Sequence, residues 1–487
     1  MIFLYRIKVY HSSIHIHDYE LGDNEKLEKL LSLWNKSKFR YDPIGFVYDE
    51  KSKILKIPRS IDINYLERVF QCPADFIYTP DKSEKISIKL KTMPRDDIQK
   101  ESIAFLLGKN NFTYTKKYSQ LLLNLDPGVG KTYITTASLT IFGERAIIIT
   151  HSDKIKLQWY ETFVNMTDLV DSQICDIYGS KAIDILMEQR DPKYKVYLVN
   201  HQTIHSYAKK NGWNDIHELF KHLKIGVKIF DEAHLNFENV IKIDLHTNCH
   251  KTIYLTATFN RSDYIEDRLF TICTRNIIRY GAEVRDKKRK HIIYVAALYN
   301  SKPELDVQAS MSTIHGFSAI KYSDYCMTAP KFFDTLKYIL DGFISREGKI
   351  MILVSKIDAC SMVKDFVSNN YREKTVLEYH SKVSDDDKER ALGADIIIST
   401  SKSAGTGVDI PGLRTLIMTE SYSSKIIAEQ VSGRLREYAP NKSTYYIEMV
   451  DIGFRQVESM YRRRAPIFKK KCSEVNVINM EKIYRNL

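Results

Sequence analysis

A lysine and a threonine stand side by side at the end of the heptapeptide DPGVGKT, residues 126–132. Residues of these types in this order suit the binding of a triphosphate. Gly128, Val129 and Gly130 form a turn tight enough to aim backbone N–H groups at phosphate oxygens. Lys131 would neutralise the β and γ phosphates, and the Thr132 hydroxyl would ligate magnesium. The apolar run SQLLLNL precedes the turn and the helix-forming run YITTASLTIF follows it, which is the setting such a turn requires. One departure is Leu125, where the usual pattern has Gly or Ala. Further along, the run VKIF ends in Asp231, Glu232, Ala233 and His234. A carboxylate at the carboxyl end of a neighbouring parallel strand lies where ligands bind in such sheets. Asp231 would hold magnesium through its water shell, and Glu232 would polarise the attacking water. The bland alternative, a surface turn with two acids, fits less well with a strand-terminal position in a series.

These residues need a scaffold, and the chain alternates accordingly. SQLLLNL, RAIIITH, KVYLVNH, VKIFDE and KTIYLTAT are short apolar runs, each followed by polar or helix-forming residues, as in a parallel sheet wrapped by helices. KIMILVS, TVLEYHS, ADIIIST, RTLIMTES and STYYIEMV repeat the pattern from residue 349 onward. The predicted fold is therefore α/β, with a doubly wound parallel sheet built twice. The charge run RDKKRK, residues 285–290, falls between the two series and reads as a solvated linker or a phosphate contact. Residues 1–90 differ: IKVYHSSIHIHD and GFVYDEKSKILKIPR alternate at period two around the helical LEKLLSLWNK, which predicts a small α+β domain. The expected domains are residues 1–90, 91–285 and 286–487.

The bulk composition agrees with three folded domains. Among 487 residues, 44% are hydrophobic and 28% charged, and no run approaches the ~18–20 apolar residues of a membrane span. The opening MIFLYRIKVYHSSIHIHD is too polar for a signal peptide. A formal charge of +12 favours a polyanionic partner. The seven cysteines are scattered without zinc spacing and read as reduced thiols. A soluble, cytoplasmic monomer is expected. His151, His201 and His380 lack metal partners and read as core or surface histidines, while His15 and His17 alternate with Ile14 and Ile16 and read as the solvent face of a strand. Near the end, MYRRRAPIFKKKC sets Arg462, Arg463, Arg464, Lys469, Lys470 and Lys471 among aromatic residues. A strand-tracking groove with stacked bases and a solvated basic helix both fit it.

The order of the motifs resembles that of superfamily 2 helicases: DPGVGKT, DEAH, then TAT with Thr256 and Thr258, AGTGVDIP with Gly407 and Asp409, and QVSGR with Gln430 and Arg434. The resemblance implies two tandem RecA-like domains, ATP and Mg2+ as cofactors, and nucleic-acid-stimulated hydrolysis. It implies that Gln99 reads adenine and that His234, Thr256 and Thr258 couple the ATP site to the nucleic acid. The loop of Gly407 and Asp409 would share that coupling, with Gln430 beside the nucleotide. Arg434 becomes the arginine finger. Arg436 is either a second one or an ion-pair residue, because this chain has GRLR where the family has GRxxR. Compact size and the pattern of residues 1–90 look most similar to phage and viral branch-migration helicases of the UvsW type, with XPB and the poxviral transcript-release helicase as cousins. That kinship implies a DNA helicase acting on forks, junctions or R-loops, inside a host cell if phage or viral, with residues 1–90 gripping duplex. An RNA-directed or transcription-linked translocase is the second reading, and a binding module with a dead ATP site the third.

Overall fold

The computed structural model describes residues 4–35, 39–77, 79–125, 128–256, 264–281, 289–313, 316–401, 403, 410–419, 435, 438 and 442–484. The chain divides into two compact units, Met1–Arg285 and Asp286–Leu487.

The first unit begins with a five-stranded sheet of β1 (Arg6–Val9), β2 (Ser13–His17), β5 (Val47–Asp49), β6 (Ile54–Pro58) and β7 (Ala74–Phe76), ordered β5-β6-β2-β1-β7. A separate hairpin joins β3 (Ser32–Asn35) to β4 (Arg40–Pro43). Period-two alternation buries Ile7, Val9, Ile14, Ile16, Leu55 and Ile57 on one face. Helices Glu25–Leu30 and Ile63–Phe70 add Leu27, Leu66 and Phe70 to the same cluster.

Next comes a seven-stranded, all-parallel sheet of β8 (Gln120–Asn124), β9 (Ala146–Thr150), β10 (Ile174–Ile177), β11 (Val196–Asn200), β12 (Val227–Phe230), β13 (Lys251–Thr256) and β14 (Ile278–Tyr280). Its order is β10-β11-β9-β12-β13-β8-β14. All five predicted strands are present. β10, whose ICDI is interrupted by Asp176, and the three-residue β14 carry no continuous apolar run, which is why sequence reasoning passed over them.

One apolar cluster joins Ile7, Ile14 and Phe70 to Tyr197, Tyr254 and Phe270, so the N-terminal sheet shares a core with the parallel one. Hydrogen bonds stitch the seam. The Ser119 hydroxyl donates to the His11 carbonyl at 2.6 Å, the Gln120 amide to the Ser12 carbonyl at 3.2 Å, and the Asn276 amide to the Ser60 carbonyl at 2.8 Å. Lys228, fully buried in β12, pairs with Asp244 at 2.6 Å and reaches the Ser12 hydroxyl at 3.4 Å. Docking also corrects the reading of His15. His15 is only partly exposed on that face; burial, reinforced by the charges of Lys56, His17, His246 and His217, pushes its imidazole down to about 3.

The second unit repeats the design with β15 (Arg289–Tyr299), β18 (Lys349–Val354), β19 (Val376–Tyr379), β20 (Ile396–Thr400), β21 (Leu413–Met418), β22 (Thr444–Asp451) and β23 (Cys472–Asn479). All pairings are parallel, in the order β19-β20-β18-β21-β22-β15-β23. A two-residue ladder, β16 (Ser312–Thr313) with β17 (Gly316–Phe317), lies apart. The run RDKKRK is not wholly a linker: residues 289–290 open β15, and residues 285–288 lie outside the described residues. β23 follows a basic helix and is half exposed, so its sequence shows no buried-strand signature.

Candidate active site

Three parallel strands bring the ATP-site residues together. β8, β13 and β12 are neighbours in that order, and their carboxyl ends carry the GKT turn, Thr256 and the DEAH sequence. Gly130 begins helix Lys131–Phe142 at φ +92, a conformation that favours glycine, and a Cβ there would sit 2.7 Å from Gln99 Nε2. No side chain caps this helix, which leaves its first N–H groups turned to the site where an anion would bind.

Gln99 is placed by its own helix. Asp96 caps helix Asp97–Leu107 by accepting from Gln99 N–H at 2.9 Å. The buried Gln99 side chain then accepts from Arg95 N–H at 2.8 Å and donates to the Val129 carbonyl at 3.0 Å, so it braces the phosphate-binding turn.

Lys131 donates to the Leu125 carbonyl at 3.2 Å and stands 3.6 Å from Glu232 Oε1. Asp231 is held from two sides. Trp159 Nε1 donates to one carboxylate oxygen at 2.7 Å and Glu232 N–H to the other at 2.9 Å. Glu232 adopts φ +47, which is uncommon for a residue with a side chain and turns the chain sharply off the strand. Burial first, and the Glu232 charge second, raise the Asp231 carboxyl to about 6. Two carboxylates thus face one lysine, and a divalent cation would supply the missing positive charge.

His234 links the strands: its Nδ1 lies 2.8 Å from the Thr256 hydroxyl and 3.3 Å from Glu232 Oε2, and it is buried. The acid proposed to act on water therefore connects to the strand end of β13 in one step. Trp159 was not singled out by sequence. Nothing in the run KLQWY marks it beyond being one of three tryptophans, and only the packing of its helix, Asp153–Met166, on the sheet brings its indole to Asp231. His151, His201 and His380 are partly or fully buried, and among the described residues no cluster fit to hold a metal through His, Cys, Asp and Glu is present.

Residues 92–261 match the family model described as type III restriction enzyme, res subunit, and residues 331–437 match the helicase conserved C-terminal domain. The chain belongs to the superfamily 2 helicases. It is accordingly an ATP-dependent helicase, and its kind implies use of a nucleotide and binding of nucleic acid. "Transcript termination protein A18" of Yaba monkey tumor virus is 23% identical over 370 residues, covering 71% of this chain and 70% of that one. The protein of the same name from Yaba-like disease virus is 22% identical over 382 residues, covering 73% and 72%. Among solved structures, Saccharomyces cerevisiae Dbp5 bound to RNA and ADP BeF3 shares the fold, with TM-score 0.51, 14% identity and coverage of 80% of this chain and 93% of that one.

Several residues expected from the helicase motifs, Thr258, Gly407, Asp409, Gln430, Arg434 and Arg436, lie outside the described residues. The basic segment forms helix Arg455–Lys471. Arg462, Arg463, Lys469 and Lys470 are exposed and Lys471 is half-buried. Arg464 corrects the sequence reading. It is 1% exposed and paired with the buried Glu448, so it cannot reach a phosphate. The nearby aromatics are also turned inward: Phe468 stacks on Tyr294 at 4.2 Å, and Tyr461 packs against the core. Bases cannot stack on these rings, and what the helix offers outward is charge.

Proposed function

We propose that this helicase is an ATP-driven DNA motor that remodels branched DNA such as forks, junctions and R-loops. Lys131 and the uncapped helix N-terminus take the phosphates, and Gln99 takes the adenine. Asp231 and Thr132 would hold Mg2+, which would neutralise phosphate charge. Glu232 orients water for attack on the γ phosphate and accepts its proton. Before nucleotide binds, Glu232 faces Lys131; once phosphates draw the lysine away, that carboxylate is left to act as base, with His234 and Thr256 relaying the change along β13. Arg434 supplies positive charge to the γ phosphate, Arg436 is its neighbour or an ion-pair residue, and Gly407, Asp409, Thr258 and Gln430 complete the coupling and nucleotide contacts. These assignments rest on the sequence motifs.

The observation that supports a branched substrate is the buried seam between residues 1–90 and the first parallel sheet. A domain docked this firmly moves with the motor, and a second surface that meets another arm of DNA gains from being tethered. Arg462, Arg463, Lys469, Lys470 and Lys471 would follow a backbone. A monomer working in the cytoplasm suffices for this activity. The name of the poxviral relatives favours one second reading, a transcription-linked translocase. ATP hydrolysis measured beside single-stranded DNA, duplex, fork and RNA tests both: strongest stimulation by fork supports the first reading, and stimulation by RNA alone overturns it in favour of the second.

A further inference from the structure

Helix Asp153–Met166 lays an apolar stripe on the first parallel sheet. Ile155, Trp159 and Phe163, each four residues from the next, are buried and join the cluster that holds Ile134 and Ala137 of the helix after the GKT turn. A phenylalanine at position 159 would fill such a stripe as well. What the indole adds is one donor, and Nε1 directs it to Asp231 Oδ2 at 2.7 Å. A buried tryptophan N–H commonly finds some acceptor, so satisfying that N–H is the bland reading of the contact. The arrangement around it says more.

The Asp231 carboxylate is gripped on both oxygens. Glu232 N–H bonds Oδ1 at 2.9 Å, and among the described residues this N–H and the Trp159 indole are the donors that the carboxylate has. One donor on each oxygen fixes the carboxylate plane and still leaves each oxygen a lone pair for a ligand. The indole is itself held in place. The first turn of its helix is tied to three strands: Asn200 of β11 donates to Asp153 at 2.7 Å and accepts from Thr150 of β9 at 2.7 Å, while the buried Lys156 pairs with Asp153 at 3.1 Å and with Asp176 of β10 at 2.6 Å. Asp231 N–H in turn donates to the Ile149 carbonyl of β9 at 3.0 Å. Donor and acceptor are therefore carried on one frame, with β9 common to both.

From this geometry we propose that Trp159 is a positioning residue for ATP hydrolysis, its indole N–H setting the orientation in which the Asp231 carboxylate meets the cation that accompanies the nucleotide. The proposal rests on the reading of Asp231 as a group that holds Mg2+. A donor to a metal-binding carboxylate keeps it in the geometry that suits its ion, and loss of such a partner costs about 10–100-fold in metal affinity or activity. An indole enclosed by a packed core cannot follow a carboxylate that rotates, and a bond to a charged acceptor is stronger than one to a carbonyl.

The test uses the full-length protein with Trp159→Phe, and with benzothienylalanine at position 159, which keeps the shape of the indole and puts sulfur where the N–H was. Both should raise the Mg2+ concentration for half-maximal hydrolysis about tenfold or more, with the ATP KM at saturating Mg2+ near wild type. The thermal midpoint of the benzothienylalanine protein should match wild type, because its packing is kept. In a Trp34→Phe/Trp213→Phe background Trp159 is the only tryptophan. Adding Mg2+ to that protein with a non-hydrolysable ATP analogue should change the emission of Trp159, and Asp231→Asn should remove the change. A folded benzothienylalanine protein with wild-type Mg2+ requirement and turnover overturns the proposal, as does a Trp159 emission indifferent to Mg2+. Lowered thermal midpoints at an unchanged Mg2+ requirement assign Trp159 to packing alone and overturn it as well. If wild-type hydrolysis needs no divalent cation, the reading of Asp231 falls too, whereas a normal Mg2+ requirement that ignores position 159 overturns the role of Trp159 alone.

Discussion

The two parallel sheets are built to one plan and put to different uses. With strands counted along the chain, both run three, four, two, five, six, one, seven across the sheet. In the first, strand one ends in the GKT turn, strand five in Asp231 and strand six in Thr256. In the second, strand one runs into Asn300 and Ser301, and strand six ends in the buried Asp451. That carboxylate accepts from Ser301 N–H at 3.1 Å, from the Ser301 hydroxyl at 2.5 Å and from Gly453 N–H at 2.9 Å. Its hydrogen-bonding capacity is used inside the protein, whereas the matching edge of the first sheet presents an uncapped helix and two carboxylates to one lysine. Topology supplies a ligand-binding edge, and the residues of the loops decide whether it binds. Among the described residues, each sheet also buries an ion pair, Lys228 with Asp244 and Arg464 with Glu448.

The largest effect should come from disabling the edge that binds. Lys131→Ala or Glu232→Gln is expected to remove nearly all hydrolysis, with Glu232→Gln still binding nucleotide because shape is kept and only the base is lost. Turnover by Glu232→Gln within a few-fold of wild type would sink the assignment. Arg434→Ala should retain ATP binding and lose turnover by ~10³ or more, the scale of an arginine finger. Loss with Arg436→Ala instead would shift that role by two residues.

The buried pairs come next. Asp244→Ala or Glu448→Ala leaves a buried cation uncompensated and should cost about 3–5 kcal/mol in denaturant unfolding. Because Lys228 and Gln120 both reach Ser12, the first change should also loosen the N-terminal sheet, seen as faster hydrogen exchange in β2; the second should leave that exchange unchanged. Alanine at Lys469, Lys470 and Lys471 should flatten the salt dependence of single-strand binding without changing sequence preference, and an unchanged slope returns the helix to a solvated role.

A separate effect is in pH. Burial lowers His15 to about 3 and His246 to about 4, so between pH 6.5 and those values the unfolded chain binds more protons than the folded one. Their contribution to stability is complete above pH 6.5 and is lost as pH falls toward 4. The thermal midpoint should drop over that interval, and His15→Gln should make the drop shallower.

Much of this was legible in residue order. Ten core strands announce themselves as apolar runs because a parallel sheet buries both faces. The GKT turn and the DEAH sequence follow two of those runs, and the order of motifs names the family. These features are local, set by neighbours along the chain. β15, whose HIIYVAALY is also an apolar run, was passed over, as were the short β10 and β14; the rest of what the chain alone did not disclose depends on residues far apart. Trp159 reaches Asp231 across 72 positions, and Arg464, identical in type to Arg462 and Arg463, is drawn inward by Glu448. The same holds for the direction of rings: nothing in RRRAPIFKKK or LWNKSKFRY says that Phe468 points into the core while Trp34 and Phe39 point into water. Charge and aromatic content can be counted from sequence, but the side of a helix or strand that meets another layer is decided only when the layers pack.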